Sequence, residues 1–311
     1  VIQGNTYEEL IRWKEIIKFE ARKNKNSAKY EDYNPKKPLF IGNKVFTNYN
    51  LEELRKYIDW TPFFRSWDLH GSYPNILKDQ TVGSTAQNLY KDANNLLDEI
   101  INNNLLCAKG VIGFWPANSD KDDIILFNND KRNSKLAIFH TIRQQSSHST
   151  DRPNYALADF IAPLSKNKKI KDYIGGFALT CGHGENELSE KFKRDSDDYN
   201  SIMTKALADR LAEAFAERMH ERVRTDFWGY ADSEMMKKQD LIQEKFQGIR
   251  PAPGYPSCPS HTEKDAIWEI LKVEDNAGIM LTETRAMYPA ASICGWYFSH
   301  PQSQYFFIRE S

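Results

Sequence analysis

The sequence predicts an α+β fold, one large domain with a central, mostly antiparallel twisted sheet flanked by helices. Three observations lead there. Short runs rich in β-branched and aromatic residues crowd the stretch 110–180 with little helix between several of them, which favours antiparallel or mixed pairing. The strongest helical periodicity follows at 200–224, and strand-like composition returns at 277–281 and 291–298. Strands, then helices, then strands again describe an α+β arrangement. At 311 residues and 40% hydrophobic, the chain is long and apolar enough to bury a sizeable core.

In chain order, Thr6-x-x-Glu9 reads as a capping box, and Tyr7, Leu10, Trp13 and Ile17 recur at helical spacing, so a first helix is expected to reach about Arg22. The stretch 23–38, rich in Lys, Asn and Tyr and closed by Pro35 and Pro38, suits a connector. Residues 1–50 are therefore an N-terminal helical arm and connector, and 51–311 the main domain. A short helix at 51–58 should stop before Thr61-Pro62, because a residue preceding proline avoids helical geometry. Ala86, Leu89, Ala93, Leu96, Leu97 and Ile100 mark a long helix. Strands are expected at 110–114, 123–127, 136–142, 156–161 and 173–180. Met203, Leu207, Leu211, Ala214, Phe215 and Met219 form the buried face of the 200–224 helix. Ser260-x-x-Glu263 should cap a further helix that turns Ile267, Ile270 and Leu271 inward.

Charge and composition narrow the function. Lys plus Arg total 42 against 43 Asp plus Glu, so no strong field draws in nucleic acid or anionic lipid. The longest apolar runs, 111–117 and 174–180, fall far below the roughly 18 residues a membrane-spanning helix needs. Four scattered cysteines without a Cys-x-x-Cys pair, and no secretory leader, fit a reducing cytoplasm. The chain begins with Val1 where a translation start would have Met, as expected of a segment of a longer protein.

Several chemistries fail on their motifs. Gly182-His183-Gly184 lacks the third glycine and the strand-turn-helix length of a dinucleotide loop. His220-Glu221 opens like a zinc-protease helix, but Arg224 stands where the second histidine would be. Cys181-x-His183 and Cys258-x-x-His261 would make zinc only if the fold united them; otherwise they are buried thiols beside surface histidines. No nucleophile-elbow motif is present. The residues describe a binding site better than an autonomous catalyst.

The most unusual segment is Arg250-Pro251-Ala252-Pro253-Gly254-Tyr255-Pro256, where three prolines freeze the backbone and one glycine allows close approach. The Arg250 fork suits a carboxylate, and Tyr255 can cover a flat ring. From the residues alone, the loop is either a shaped binding strap or a stiff surface connection with Arg250 in a structural salt bridge.

That loop, with Cys258-Pro259 and His261-Thr262-Glu263-Lys264 after it, resembles the S-adenosylmethionine loop of the activation domain of cobalamin-dependent methionine synthase. Further matching segments lie at 57–64, 91–94, 116–118, 143–145, 157–160, 206–214 and 295–301, covering about 54 to 305 in order. The stretch to about Asn50 matches loosely, and family members continue with a helical tail past the point where this chain ends. Asp68-x-His70 starts like a cobalamin lower-ligand motif, but Tyr73 occupies its glycine position, so cobalamin should sit on a separate domain.

The resemblance implies a C-shaped activation-domain fold and specific ligand roles. Arg250 would hold the carboxylate of S-adenosylmethionine, with Asp59 and Glu213 near its ammonium. Pro251, Ala252 and Gly254 would meet adenine and ribose through their backbone, Tyr255 and Tyr305 would face the nucleoside or sulfonium, and Glu244 lies close upstream. It further implies a cytoplasmic monomer that works with a cobalamin-binding domain and with flavodoxin or an equivalent reductase. A stand-alone S-adenosylmethionine-dependent methyltransferase would need a Gly-rich strand-loop-helix; a docking domain without ligand would use the loop only as a surface.

Overall fold

The computed structural model describes residues 33–144, 153–164, 170–231 and 246–308. The expected first helix lies outside them. The chain enters through β1 (Gly42–Tyr49), then α1 (Leu51–Arg55), α2 (Trp60–Ser66) and the long α3 (Gly83–Asn102). Three strands follow, β2 (Cys107–Asp120), β3 (Asp123–Phe127) and β4 (Lys135–His140), and then β5 (Asp172–His183). Next come α4 (Glu185–Arg194) and α5 (Asp198–Arg222), and later α6 (Glu263–Leu271) and α7 (Val273–Ala277). A two-residue pair, β6 (Met280–Leu281) with β7 (Met287–Tyr288), precedes β8 (Ser292–Tyr297).

The main sheet runs β4-β3-β2-β5-β8, with β1 also on β2, and every pairing is antiparallel. β2 serves two neighbours along one edge: residues 108–114 pair with β1 and 117–120 with β3. Pro116 sits at the changeover, where its missing N–H leaves no donor unpaired on that edge.

Both faces of the sheet are buried. Ile112, Phe114, Phe177 and Leu179 join a core beneath α1, α2, α3 and α5. Val111, Trp115, Ile174, Ala178 and Trp296 join a second core beneath α6 and α7. Burial on two sides explains why 110–180 reads as continuous apolar runs rather than alternation. The long helices form where periodicity placed them, and Met203, Leu207, Leu211, Ala214, Phe215 and Met219 are all buried.

The helix expected at 51–58 ends at Arg55, before Thr61-Pro62; Pro62 belongs to α2, where the first turn tolerates a missing N–H, and Asp59 caps that helix by accepting from the Thr61 N–H at 3.0 Å. Three local expectations give way. Residues 42–49, placed in the connector, form a strand of the main sheet. Glu263 leaves the expected capping box to accept the His140 N–H at 3.0 Å, and α6 starts after Thr262. The predicted strand at 156–161 is a 3-10 turn, Leu157–Phe160. Its Asp159 carboxylate accepts the Ala156 N–H at 3.0 Å and two Arg143 guanidinium nitrogens at 2.6 and 2.7 Å, and both charges are buried. A local carboxylate thus curls a segment whose apolar side chains favour extension. Arg143 also holds Asp122, through Nε and Nη2 at 3.1 and 2.7 Å, so Asp159→Ala leaves the guanidinium paired but removes its buried partner and the bond to the Ala156 N–H. The substitution should cost about 1–3 kcal/mol, read as a lower urea midpoint at unchanged m-value.

Candidate functional site

A cavity of about 390 Å³ opens beside the proline loop. Its floor is set by backbone pairing along the free edge of β8. Ile249 and Phe298 exchange N–H···O bonds at 3.1 and 3.0 Å, and the Trp296 N–H donates to the Pro251 carbonyl at 3.0 Å. Gly295 permits this: a Cβ there would stand 2.7 Å from the Pro251 oxygen. The loop then closes on itself, with the Gly254 N–H donating to the Cys258 carbonyl at 2.8 Å and the Cys258 N–H to the Tyr255 carbonyl at 2.8 Å.

A second wall comes from far along the chain. The Arg250 N–H donates to the Tyr305 hydroxyl at 3.0 Å. Ser257 Oγ donates to the Phe306 carbonyl at 2.7 Å and accepts the Phe306 N–H at 3.0 Å, and the Ile308 N–H reaches the Pro256 carbonyl at 3.2 Å. The segment 305–308 thereby straps the loop in place.

Most of the sequence-derived site residues converge here. Glu213, Arg250, Pro251, Ala252, Tyr255 and Tyr305 all line the cavity. Tyr255, Tyr305 and Phe307 stay 63%, 43% and 64% exposed, so three aromatic rings rim the mouth. Water-facing rings on an otherwise well-buried fold are a usual mark of a binding surface.

Two predicted residues stand elsewhere. Gly254 does not line the cavity. Its φ of +95° needs glycine, and a Cβ would approach the His261 ring to 2.2 Å, so its bareness admits an imidazole of the same chain. Asp59 caps α2, which packs on the Glu213 helix, but it is not part of the cavity wall. Glu244 lies outside the described residues.

The electrostatics are divided. Arg250 is only 17% exposed and pairs with Glu217, Nη2 to Oε2 at 2.8 Å, while Nη1 meets Nδ1 of His220 at 3.2 Å. The salt-bridge reading of Arg250 and its place in the cavity wall therefore both hold. Glu213 reaches solvent at the mouth, yet the crowded wall raises its proton affinity above the ordinary carboxylate range, with Arg210 and Arg250 opposing that rise. A carboxylate so placed favours a cation beside it.

Glu217 and His220 were not picked out from the sequence as site residues. Their spacing from Glu213, four and seven residues along one helix, was the available signal, because it places all three on one stripe.

The geometry defines an α+β domain built around a cleft on a sheet edge. The family model for the activation domain of vitamin B12-dependent methionine synthase matches residues 50–310, and the chain belongs to that family. It is also similar to a crystal structure of the MetH reactivation domain bound to AdoHcy. That match has 49% sequence identity and a TM-score of 0.90, and covers 94% of this chain and 88% of the other. Among the described residues no helix is long and apolar enough to cross a membrane.

The Gly254 contact is testable. Gly254→Ala should lower stability by about 1–3 kcal/mol, from positive φ and the imidazole clash together. Adding His261→Ala should restore part of the loss in thermal unfolding; no recovery would assign the whole cost to the backbone.

Proposed function

We propose that this chain binds S-adenosylmethionine in the cleft beside 250–257 and presents its methyl group for reductive methylation of inactive cob(II)alamin held on a separate domain. The supporting observation is the convergence of a guanidinium, a carboxylate with raised proton affinity and exposed aromatic rings on one cleft. A cavity of about 390 Å³ falls within the size range of small-molecule sites. The related crystal structure, with AdoHcy bound, supports the ligand class.

Bound there, the ligand supplies an activated methyl on a positively charged sulfur. The chain's own residues bind and orient. Arg250 takes the carboxylate through charge-assisted hydrogen bonds, and Glu213 takes the ammonium, so the amino-acid end has one polarity in the cleft. Backbone groups of Pro251 and Ala252 meet the nucleoside, and Gly254, outside the cavity wall, is carried only by the family resemblance. The rings of Tyr255 and Tyr305 offer their faces to the sulfonium. Asp59 and Glu244 join this set on the family resemblance. Fixing the methyl donor removes translational freedom from a two-body displacement, which is worth several kcal/mol of barrier.

In this reading the chain is one module of a methionine-forming methyltransferase and not a complete catalyst alone. The cobalamin-binding domain is its partner, flavodoxin or an equivalent reductase supplies the electron, and the setting is cytoplasmic.

Arg250→Ala should weaken S-adenosylmethionine binding by about tenfold to a hundredfold, or about 1.5–3 kcal/mol, in isothermal titration calorimetry. Unchanged affinity would refute the assignment.

The raised proton affinity of Glu213 sets a pH signature. The protonated side chain cannot pair with an ammonium, so binding should release a proton in weakly acidic solution, and affinity should climb as pH rises through that window. Titrations in buffers of different ionisation enthalpy should show the release in the parent chain and none in Glu213→Gln.

A further inference from the structure

The polar groups behind the cleft have a role that ligand contact does not explain. Glu217 and His220 lie one and two turns along α5 from Glu213, and neither lines the cavity. Both instead grip the side chain that does.

A guanidinium is planar with its donors in fixed directions, so one acceptor leaves it able to pivot while two acceptors on different nitrogens fix its plane. Here Glu217 takes Nη2 at 2.8 Å and His220 Nδ1 takes Nη1 at 3.2 Å. The imidazole must be neutral to accept, and its surroundings keep it so. It is fully buried, stacked on Tyr297 with centroids 5.3 Å apart and met edge-on by Phe246 at 5.0 Å. Burial, then the nearby Arg224 and Arg250 charges, hold its proton affinity well below the usual histidine range. The proton that remains belongs on Nε2, which faces the Tyr230 hydroxyl at 3.4 Å.

Glu217 supplies a second argument. Its Oε1 is buried and has no hydrogen-bond partner among the described residues. A half-satisfied buried carboxylate is costly, and a residue present only for packing would not impose that cost.

We propose that Glu217 and His220 are positioning residues for carboxylate recognition, holding the Arg250 guanidinium in a single orientation at the cleft. The idea rests on the ligand reading above. It makes preference for a nucleoside carrying an amino-acid carboxylate depend on two side chains that the ligand does not touch.

The test separates positioning from folding by using two ligands, S-adenosylhomocysteine and 5′-methylthioadenosine, which share the nucleoside and thioether but differ in the amino-acid end, the second lacking both carboxylate and ammonium. Calorimetry would be run on the full chain, on His220→Leu and on His220→Asn, whose amide oxygen can stand in for Nδ1. His220→Leu should bind S-adenosylhomocysteine about tenfold more weakly with methylthioadenosine unchanged, and His220→Asn should recover most of the loss. Equal weakening toward both ligands, or none toward either, would overturn the proposal. If circular dichroism shows His220→Leu unfolded, Glu217→Leu takes its place, since a glutamine amide oxygen could still accept from Nη2; the same split is expected and the same outcomes are fatal. An unaltered chain that ignores S-adenosylhomocysteine would bring down the ligand reading as well; one that binds it while the variants show no split would sink only this proposal.

Discussion

The cleft depends on one piece of backbone pairing. Strand β8 uses one edge to join the sheet and lends the other to residues 249–251, and the bare Cα of Gly295 lets the Pro251 carbonyl come close enough to accept from Trp296. Everything else at the site is referred to that seam. It fixes where the prolines start, and therefore where Arg250 stands relative to α5 and where the turn at 254–258 lifts Tyr255 into water. A loop held only by its prolines would be stiff but unregistered against the helix that carries Glu213.

Charge is arranged in depth around the seam. At the mouth, Glu213 is reached by solvent but crowded enough to bind protons more tightly than usual. Behind it, Arg250 and Glu217 form a pair in which each is less than a fifth exposed, backed by a buried imidazole. The outer carboxylate attracts a cation and the inner guanidinium an anion, which matches the two ends of a zwitterion. Low local dielectric behind the pair strengthens both preferences relative to open water.

Much of this was legible in the sequence, and the exceptions share a cause. The helices Gly83–Asn102 and Asp198–Arg222 were readable because their apolar spacing is regular and their cores bury it. The proline loop was readable because its composition is so restrictive. What escaped depends on partners distant in sequence. Strand Gly42–Tyr49 is an edge strand with polar Asn43, Lys44, Thr47 and Asn48, so it lacks the alternation that marks a half-buried strand. The turn at 157–160 is decided by Arg143, and Glu263 is drawn away by His140. Glu217 reads as an ordinary helix residue and His220 only as part of a failed zinc motif, because the partner that gives both a role, Arg250, lies 30 or more positions away.

The strap at 305–308 has a consequence for how the domain acquires its site. It meets the loop across 55 residues of intervening chain, so the cleft has no local precursor and comes into being only once the whole tertiary fold has closed. Whatever occupies the cleft must then bind the native state and not the unfolded chain, and by mass action it stabilises the entire domain rather than one loop. The natural ligand would double as a thermal stabiliser of finished copies, its effect rising with the logarithm of its concentration above the dissociation constant.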